Sequence, residues 1–338
     1  MCANLSASSF SGKSGSRITA MGSYVPETVL TNFDLEKLVD TSDEWIYTRT
    51  GIKERRIESP DRYTSHMCIS AIENMLARYS VTLEDVDLVL VATHTPDYAC
   101  PSTACLIQKH FGFQQAGAVD LNATCAGFVY GLHLANGMIS SGLHRKILVV
   151  GADTLSKTTD YTDRTTCILF GDGAGCVLLE RTEESSGFIA YHGGSDGSGA
   201  KHLYRTGLSA MLDGEPLKAN GHIVQNGQEV FRFAVSAVPE GIEALLRKSS
   251  MSAGDIDWFI PHNANLRIIK SICERTSLPL ERTLHMIEHY GNTSAATIPL
   301  AWDAAVQGSR LQDGDTLLLY GFGGGYVHGG LLWRWSDL

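Results

Sequence analysis

The chain has 338 residues, 43% of them hydrophobic and 19% charged, with a formal net charge of −10 at pH 7. That length and balance suit a globular chain with two core-bearing halves, and the acidity argues against general binding to nucleic acid or anionic membrane. The 34 glycines follow no fixed period, which excludes a collagen-like or low-complexity chain.

Residues 1–16, MCANLSASSFSGKSGS, are small and polar, lack the apolar core of a signal peptide and read as a flexible tail. Strands are predicted in RITAMGSYV, DLVLVATHT, AVDLNA, KILVVGADT, CILFGDGAGCVLLE, DWFIPH and TLLLYGFGG, with helical patterns between most of them. That alternation is the signature of an α/β fold. ESSGFIAYHGGSDGSG, rich in Gly, Ser and Asp, reads as a hairpin or crossover. No apolar run reaches the ~20 residues a membrane span requires. The eight cysteines, Cys2, Cys68, Cys100, Cys105, Cys125, Cys167, Cys176 and Cys273, form no C-x-x-C pair and no zinc spacing. Most lie in apolar segments as small hydrophobes, which points to a reducing, cytoplasmic setting.

The two halves repeat one order of elements. EDVDLVLVATHT, an acidic turn and strand, leads to a helix, the strand AVDLNA, Cys125, a second helix and KILVVGADT. GDIDWFIPHN likewise leads to the helix ANLRIIKSICERTS, a segment ending HYGNTS, the helix AATIPLAWDAAVQG and TLLLYGFGG. This is an internal duplication, residues 17–183 and 184–338, in which Cys125 and Asn292 occupy corresponding strand-to-helix junctions that meet in one central site.

A cysteine at a helix N-terminus faces unpaired N–H groups and the positive end of the macrodipole, which favours the nucleophilic thiolate. Cys125 on its own reads more readily as a small core residue, the usual place of a free cysteine. His262, at the end of a strand in PHNANLRIIK, and Asn292, in a glycine turn, each read alone as structural. The three together at corresponding junctions mark a candidate site. TSDEWIYTRTG carries a capping-box pattern from Thr41 to Glu44 and reads alone as a helix start. FGDGAG and GFGGGY lack the Lys-Ser/Thr of a phosphate loop and the acidic residue of a dinucleotide site, and read as tight turns.

NATCAGFVYGL, DRTTCILFGDGAG, PHNANLRI, HYGNTSAA and GFGGGY, in this order and with TSDEWIYTRTGIKERR upstream, resemble the β-ketoacyl-ACP synthase III family of thiolase-fold condensing enzymes. The resemblance runs from about Arg17 to the end of the chain. It implies a thiolase-like, five-layered αβαβα fold in two duplicated halves and a homodimer. It implies initiation of fatty acid synthesis: a short acyl-CoA condenses with malonyl-ACP (acyl carrier protein), giving a 3-oxoacyl-ACP, carbon dioxide and CoA, with no metal or redox cofactor. Cys125 is implied as the acyl-carrying nucleophile, and the backbone N–H groups of Cys125 and Gly324 as the oxyanion hole. His262 and Asn292 are implied as donors to the malonyl thioester carbonyl, where they would stabilise the enolate left by decarboxylation. Trp45, Arg49, Arg164 and Asn265 fall at CoA-binding positions. Asn263, Ala264, Asn265, Leu266 and Arg267, with Lys270 nearby, fall at the carrier-protein surface.

The Cys-His-Asn set departs from the Cys-His-His of elongating synthases and from the second Cys of thiolases. Plant-type polyketide synthases share it and are the nearest alternative; a non-catalytic interaction protein of the same fold is a further one. Two positions depart from the commonest family pattern. Asn263 stands where Gln is common and is expected to face the carrier protein. Cys100 stands where many members have a Phe that reaches across the dimer to floor the partner's acyl pocket. The smaller side chain predicts a roomier pocket that takes branched primers such as isobutyryl-CoA.

Overall fold

The structure, a computed structural model, describes residues 15–183, 187–218 and 220–338. The first half comprises β1 (Ser16–Tyr24), α1 (Thr64–Arg78), β2 (Leu88–Ala92), α2 (Thr103–Phe111), β3 (Gly117–Leu121), α3 (Gly127–Ser140), β4 (Lys146–Thr154) and β5 (Asp172–Arg181). The second comprises β6 (Phe188–Gly194), α4 (Gly227–Ser249), β7 (Trp258–Pro261), α5 (Leu266–Thr276), α6 (Thr297–Gln307), β8 (Thr316–Gly323) and β9 (Val327–Arg334).

The first sheet has the order β1-β5-β4-β2-β3, with β2 parallel to β4 and β3 and the remaining pairs antiparallel. The second has the order β7-β8-β9-β6, with β7 parallel to β8 and the rest antiparallel. Strand for strand, β2, β4, β5 and β1 correspond to β7, β8, β9 and β6. The place of β3 is taken by a single parallel bridge from Phe259 to Thr283.

Strand side chains alternate between faces, and here each face meets a helix layer. Leu88 and Leu90 of β2 and Leu317 and Leu319 of β8 point to a central core shared with Phe128, Val129 and Leu132 of α3 and Ile298 and Trp302 of α6. Val89 and Val91 point the other way, onto Met67, Cys68 and Ile72 of α1 and Ile107 of α2. Leu318 and Leu332 meet Ile242 and Leu245 of α4 and Ile269 and Ile272 of α5. The layers run helix, sheet, helix, sheet, helix, and α3 and α6 lie between the two sheets.

Three sequence expectations change. Residues 1–14 of the expected tail lie outside the described residues, but Ser16 opens β1, is fully buried and donates its hydroxyl to Asn136 Oδ1 at 2.7 Å. CILF of CILFGDGAGCVLLE is a buried turn, and the strand begins at Asp172. FIAYHGG, read as part of a hairpin or crossover, is β6; its paired glycines hid an edge strand whose one ladder partner among the described residues is β9. The expected boundary at residue 184 falls beside residues that are not described.

Candidate active site

Two turns of one shape face each other between the sheets. After β3, Asn122 and Ala123 lead into the 3-10 turn Thr124–Ala126 and then α3. Asn292 and Thr293 lead into the turn Ser294–Ala296 and then α6. The Thr124 N–H is bonded to Asn122 Oδ1 at 3.3 Å, and the Ser294 N–H to Asn292 Oδ1 at 2.9 Å. The junctions therefore correspond as expected, but residue by residue Asn292 matches Asn122 and Cys125 matches Ala295.

Strand β8 passes directly over the first turn. A Cβ at Gly321 would come within 2.7 Å of Ala126 Cα; one at Gly323 would overlap Thr124 Oγ1 and come within 2.9 Å of Cys125 N. Only glycine permits that approach. Gly324 follows at the end of β8, where its carbonyl lies 3.5 Å from the Thr124 hydroxyl.

Cys125, His262 and Asn292 are all buried and line one cavity of about 550 Å³ with Gly324. His262 closes β7. Its Nδ1 lies 2.8 Å from Thr297 Oγ1, and the Thr297 hydroxyl donates its one hydrogen to the Ser294 carbonyl at 2.9 Å. The Thr297 oxygen therefore accepts from His262, the ring proton sits on Nδ1, and Nε2 remains as an acceptor. Burial pushes the His262 pKa down to about 3, so the ring is neutral. A neutral ring with its proton on Nδ1 presents Nε2 as an acceptor, and Nε2 becomes a donor once it has taken a proton. Asn292 Oδ1 is occupied by the Ser294 N–H, which leaves the Nδ2 hydrogens for a ligand.

Burial pushes the Cys125 thiol up to about 12, and the nearby Asp153 carboxylate adds to this; the Ser294 hydroxyl and the Cys125 N–H oppose it. The pull of the helix end toward the thiolate is thus opposed by the desolvation of a buried sulfur.

At the solvent end stands the helix Asp43–Thr50. Its cap is Ser42, whose hydroxyl accepts the Trp45 N–H at 3.1 Å, and not the anticipated Thr41. The Arg49 and Arg164 guanidinium carbons lie 5.5 and 5.2 Å from the Trp45 ring centroid. Asn265 caps α5 by accepting the Arg267 N–H at 2.8 Å and donates to the Arg49 carbonyl at 3.1 Å. It thereby ties the helix carrying Trp45 to the second half. Asn263 is corrected: it is buried, donates to the Pro261 carbonyl and accepts the Met286 N–H, both at 2.7 Å, so it faces no partner. Ala264 and Leu266 are half-buried, and Arg267 and Lys270 are exposed one turn apart on α5.

Cys100 is exposed and does not line the central cavity. It lies in a separate groove with Tyr98, Val119 and Asn122. Sequence reasoning missed the places of His94, Asp153, Ser294 and Thr297 in this site. The available signal was Asp153, an acidic residue closing an otherwise apolar strand. Among the described residues no group of three His, Cys, Asp or Glu is placed to hold a metal ion, and no described helix is long and apolar enough to cross a membrane.

Residues 119–197 match the family model of 3-oxoacyl-(acyl-carrier-protein) synthase III, and residues 246–335 match its C-terminal model. The β-ketoacyl-(acyl-carrier-protein) synthase III 2 of Halalkalibacterium halodurans is 58% identical over 323 residues, 96% of this chain and 97% of that one. This chain belongs to the β-ketoacyl-ACP synthase III family. The crystal structure of the synthase III of Thermus thermophilus superposes with a TM-score of 0.92 at 45% identity, covering 95% of this chain and 100% of that one. The priming β-ketosynthase of the R1128 polyketide pathway superposes with a TM-score of 0.89 at 33% identity, covering 96% of this chain and 97% of that one. The five layers described above are thus the thiolase-like fold of synthase III enzymes.

Proposed function

We propose that this acyltransferase initiates fatty acid synthesis by loading a short acyl group from acyl-CoA onto Cys125 and condensing it with malonyl-ACP. One observation carries the assignment of residues. Cys125, His262 and Asn292 meet at the buried end of a cavity whose solvent end carries Trp45 beside two arginines. An aromatic ring flanked by guanidinium groups suits a nucleotide base and its phosphates. The identity to fatty-acid-type relatives, 58%, exceeds the 33% to the polyketide priming enzyme, which favours the fatty acid reading.

The chemistry follows from the resting protonation states. The Cys125 thiol gives its proton to His262 Nε2 as Sγ bonds to the acyl carbonyl carbon. The N–H groups of Cys125 and Gly324 receive the oxyanion, and CoA leaves as a thiolate that takes a proton from solvent. The malonyl thioester oxygen then rests against Asn292 Nδ2–H and the protonated Nε2–H of His262. Loss of carbon dioxide places negative charge on that oxygen, so both donors bind the enolate more strongly than the ground state. The enolate carbon attacks the acyl-Cys125 carbonyl, and the released thiolate recovers its proton from His262. One proton is consumed per turnover.

Arg267 and Lys270 form a basic pair for an acidic carrier protein. Strand β3 is an open sheet edge with Val119 50% exposed and Tyr98 58% exposed beside it. A second copy of the chain would cover that edge and bring Cys100 to the partner's cavity. The seven described cysteines are unpaired, which supports a cytoplasmic setting.

Intact-protein mass after mixing with acetyl-CoA or isobutyryl-CoA tests this reading. The expected result is an acyl adduct on the wild type, absent from Cys125→Ser and discharged by malonyl-ACP. No adduct from either donor would overturn it.

A further inference from the structure

Beside the cavity lies a set of contacts that the reaction above leaves unused. Asp153, near the end of β4, is fully buried. Its Oδ1 accepts the Thr93 hydroxyl at 2.9 Å, the His94 and Thr95 N–H groups at 2.9 and 3.1 Å, and the Thr95 hydroxyl at 2.8 Å. Its Oδ2 accepts the Ala295 N–H at 3.3 Å and lies 3.2 Å from His94 Nδ1. His94 and the hydrogen bonds around the carboxylate outweigh its burial and hold it down to about 2, so a buried anion sits beside the nucleophile turn. Among the described residues, His94 is the one basic side chain in ion-pair contact with it.

His94 faces a second group. Its Nδ1 is 3.3 Å from Ser294 Oγ, and the Ser294 hydroxyl is in hydrogen-bonding contact with Cys125 Sγ. A ring nitrogen against a carboxylate carries a hydrogen. That hydrogen is shared with Ser294 Oγ, which accepts it; the single Ser294 hydrogen, for which Cys125 Sγ and the Asp153 carboxylate compete, then turns to the sulfur when the sulfur carries charge. The donors run one way, from His94 to Ser294 to Cys125. Asp153 alone acts in the opposite sense, since its charge opposes a charge on the sulfur. Arg205 is the other charged group on His94, through its Nη2 and the His94 carbonyl at 2.9 Å.

We propose that His94, held by Asp153, is a positioning residue that acts through Ser294 on the Cys125 sulfur. It orients the Ser294 hydroxyl as a donor to the thiolate that forms during acyl transfer and returns after condensation. The proposal rests on Cys125 being the nucleophile and names a device that the Cys-His-Asn set does not contain.

The test is the second-order rate of Cys125 alkylation by iodoacetamide at one fixed pH, followed by intact mass on the full chain. His94→Ala and Ser294→Ala should each slow the reaction by about tenfold or more, the scale of a lost hydrogen bond to a charged group. The double variant should be no more than about threefold slower than Ser294→Ala, because both changes break one path. His94→Asn, whose side-chain N–H can stand near the Nδ1 position, should recover most of the rate. Three results would overturn the proposal: His94→Ala reacting like wild type, the two single effects multiplying, or His94→Asn failing to recover. A wild type that alkylates at Cys125 but takes no acyl group from acyl-CoA would overturn the proposed reaction and leave this relay standing.

Discussion

Thr124 and Ser294 hold the same unusual backbone conformation, with φ of 46° and 52°, each as the first residue of the turn that enters a central helix. Left-handed backbone at a residue other than glycine costs about 1–2 kcal/mol, and the chain keeps it in both halves. The two hydroxyls give the reason. Thr124 Oγ1 lies against the Gly324 carbonyl, and Ser294 Oγ stands among Cys125, His94 and Asp153. Thr124→Gly should therefore leave stability within about 1 kcal/mol of wild type, since relief of strain offsets the added chain entropy. It should still slow acyl-enzyme formation, because the Cys125 N–H loses its fixed direction. Urea unfolding and adduct formation by mass measure the two effects separately.

His262 gives a pH signature whose sign can be worked out. Its folded pKa, about 3, lies below its ordinary 6.5, so folding favours the neutral ring. The stability linked to it is complete above 6.5 and is lost as pH falls from 6.5 toward 3, by up to about 1.4 kcal/mol per pH unit. His262→Gln removes that dependence. The variant should lose less stability between pH 7 and 4.5 than wild type does, as read from urea midpoints. In wild type, nitrogen NMR should show an Nδ1–H ring that does not titrate between pH 5 and 8.

Gly323→Ala adds a methyl where Thr124 and Cys125 already stand. Overpacking of this kind costs about 1–3 kcal/mol. The shift falls on the nucleophile turn, so the acyl-transfer rate should drop even below the melting transition. Stopped mass sampling beside a thermal melt would reveal it.

Trp45→Ala removes the stacking surface between Arg49 and Arg164. Stacking on a base is worth about 1–3 kcal/mol, so KM for acyl-CoA should rise roughly 5- to 100-fold. The rate at saturating acyl-CoA should change little, since Trp45 stands at the far end of the cavity from the sulfur. Steady-state kinetics separate the two.

Cys100→Phe restores ring volume at the face where a second copy would dock. Preference should move from isobutyryl-CoA toward acetyl-CoA by about 1–3 kcal/mol, the size of one pocket contact. An unchanged ratio of the two adducts in competition would reject Cys100 as a selector.

Much of this was legible in the chain. The repeated order of strands and helices located both junctions, because buried parallel strands and their crossover helices write strong apolar runs. GFGGGY, read as a tight turn, instead ends β8, where Gly321 and Gly323 permit the close approach to the nucleophile turn. What stayed hidden was three-dimensional. Asn263 looked like a surface residue, but its amide bonds backbone on both sides. Burial, which sets the protonation of Cys125 and His262, has no local sequence mark. His94, Asp153 and Ser294 come from segments up to 200 residues apart and show no spacing to read.

The backbone of Asn292 is stitched into the other half: its N–H bonds the Leu169 carbonyl at 2.9 Å, and its carbonyl accepts the Gly171 N–H at 3.0 Å. The buried CILF turn thus serves as a jig for an amide encoded more than a hundred residues later. Neither half, expressed as a fragment, would present a formed site, and mixing the two fragments would restore activity only as fast as this seam closes. In the intact chain the ordering of Asn292 is completed during folding. This amide need not be ordered around the thioester, so little reorganisation of it remains when charge appears on the thioester oxygen.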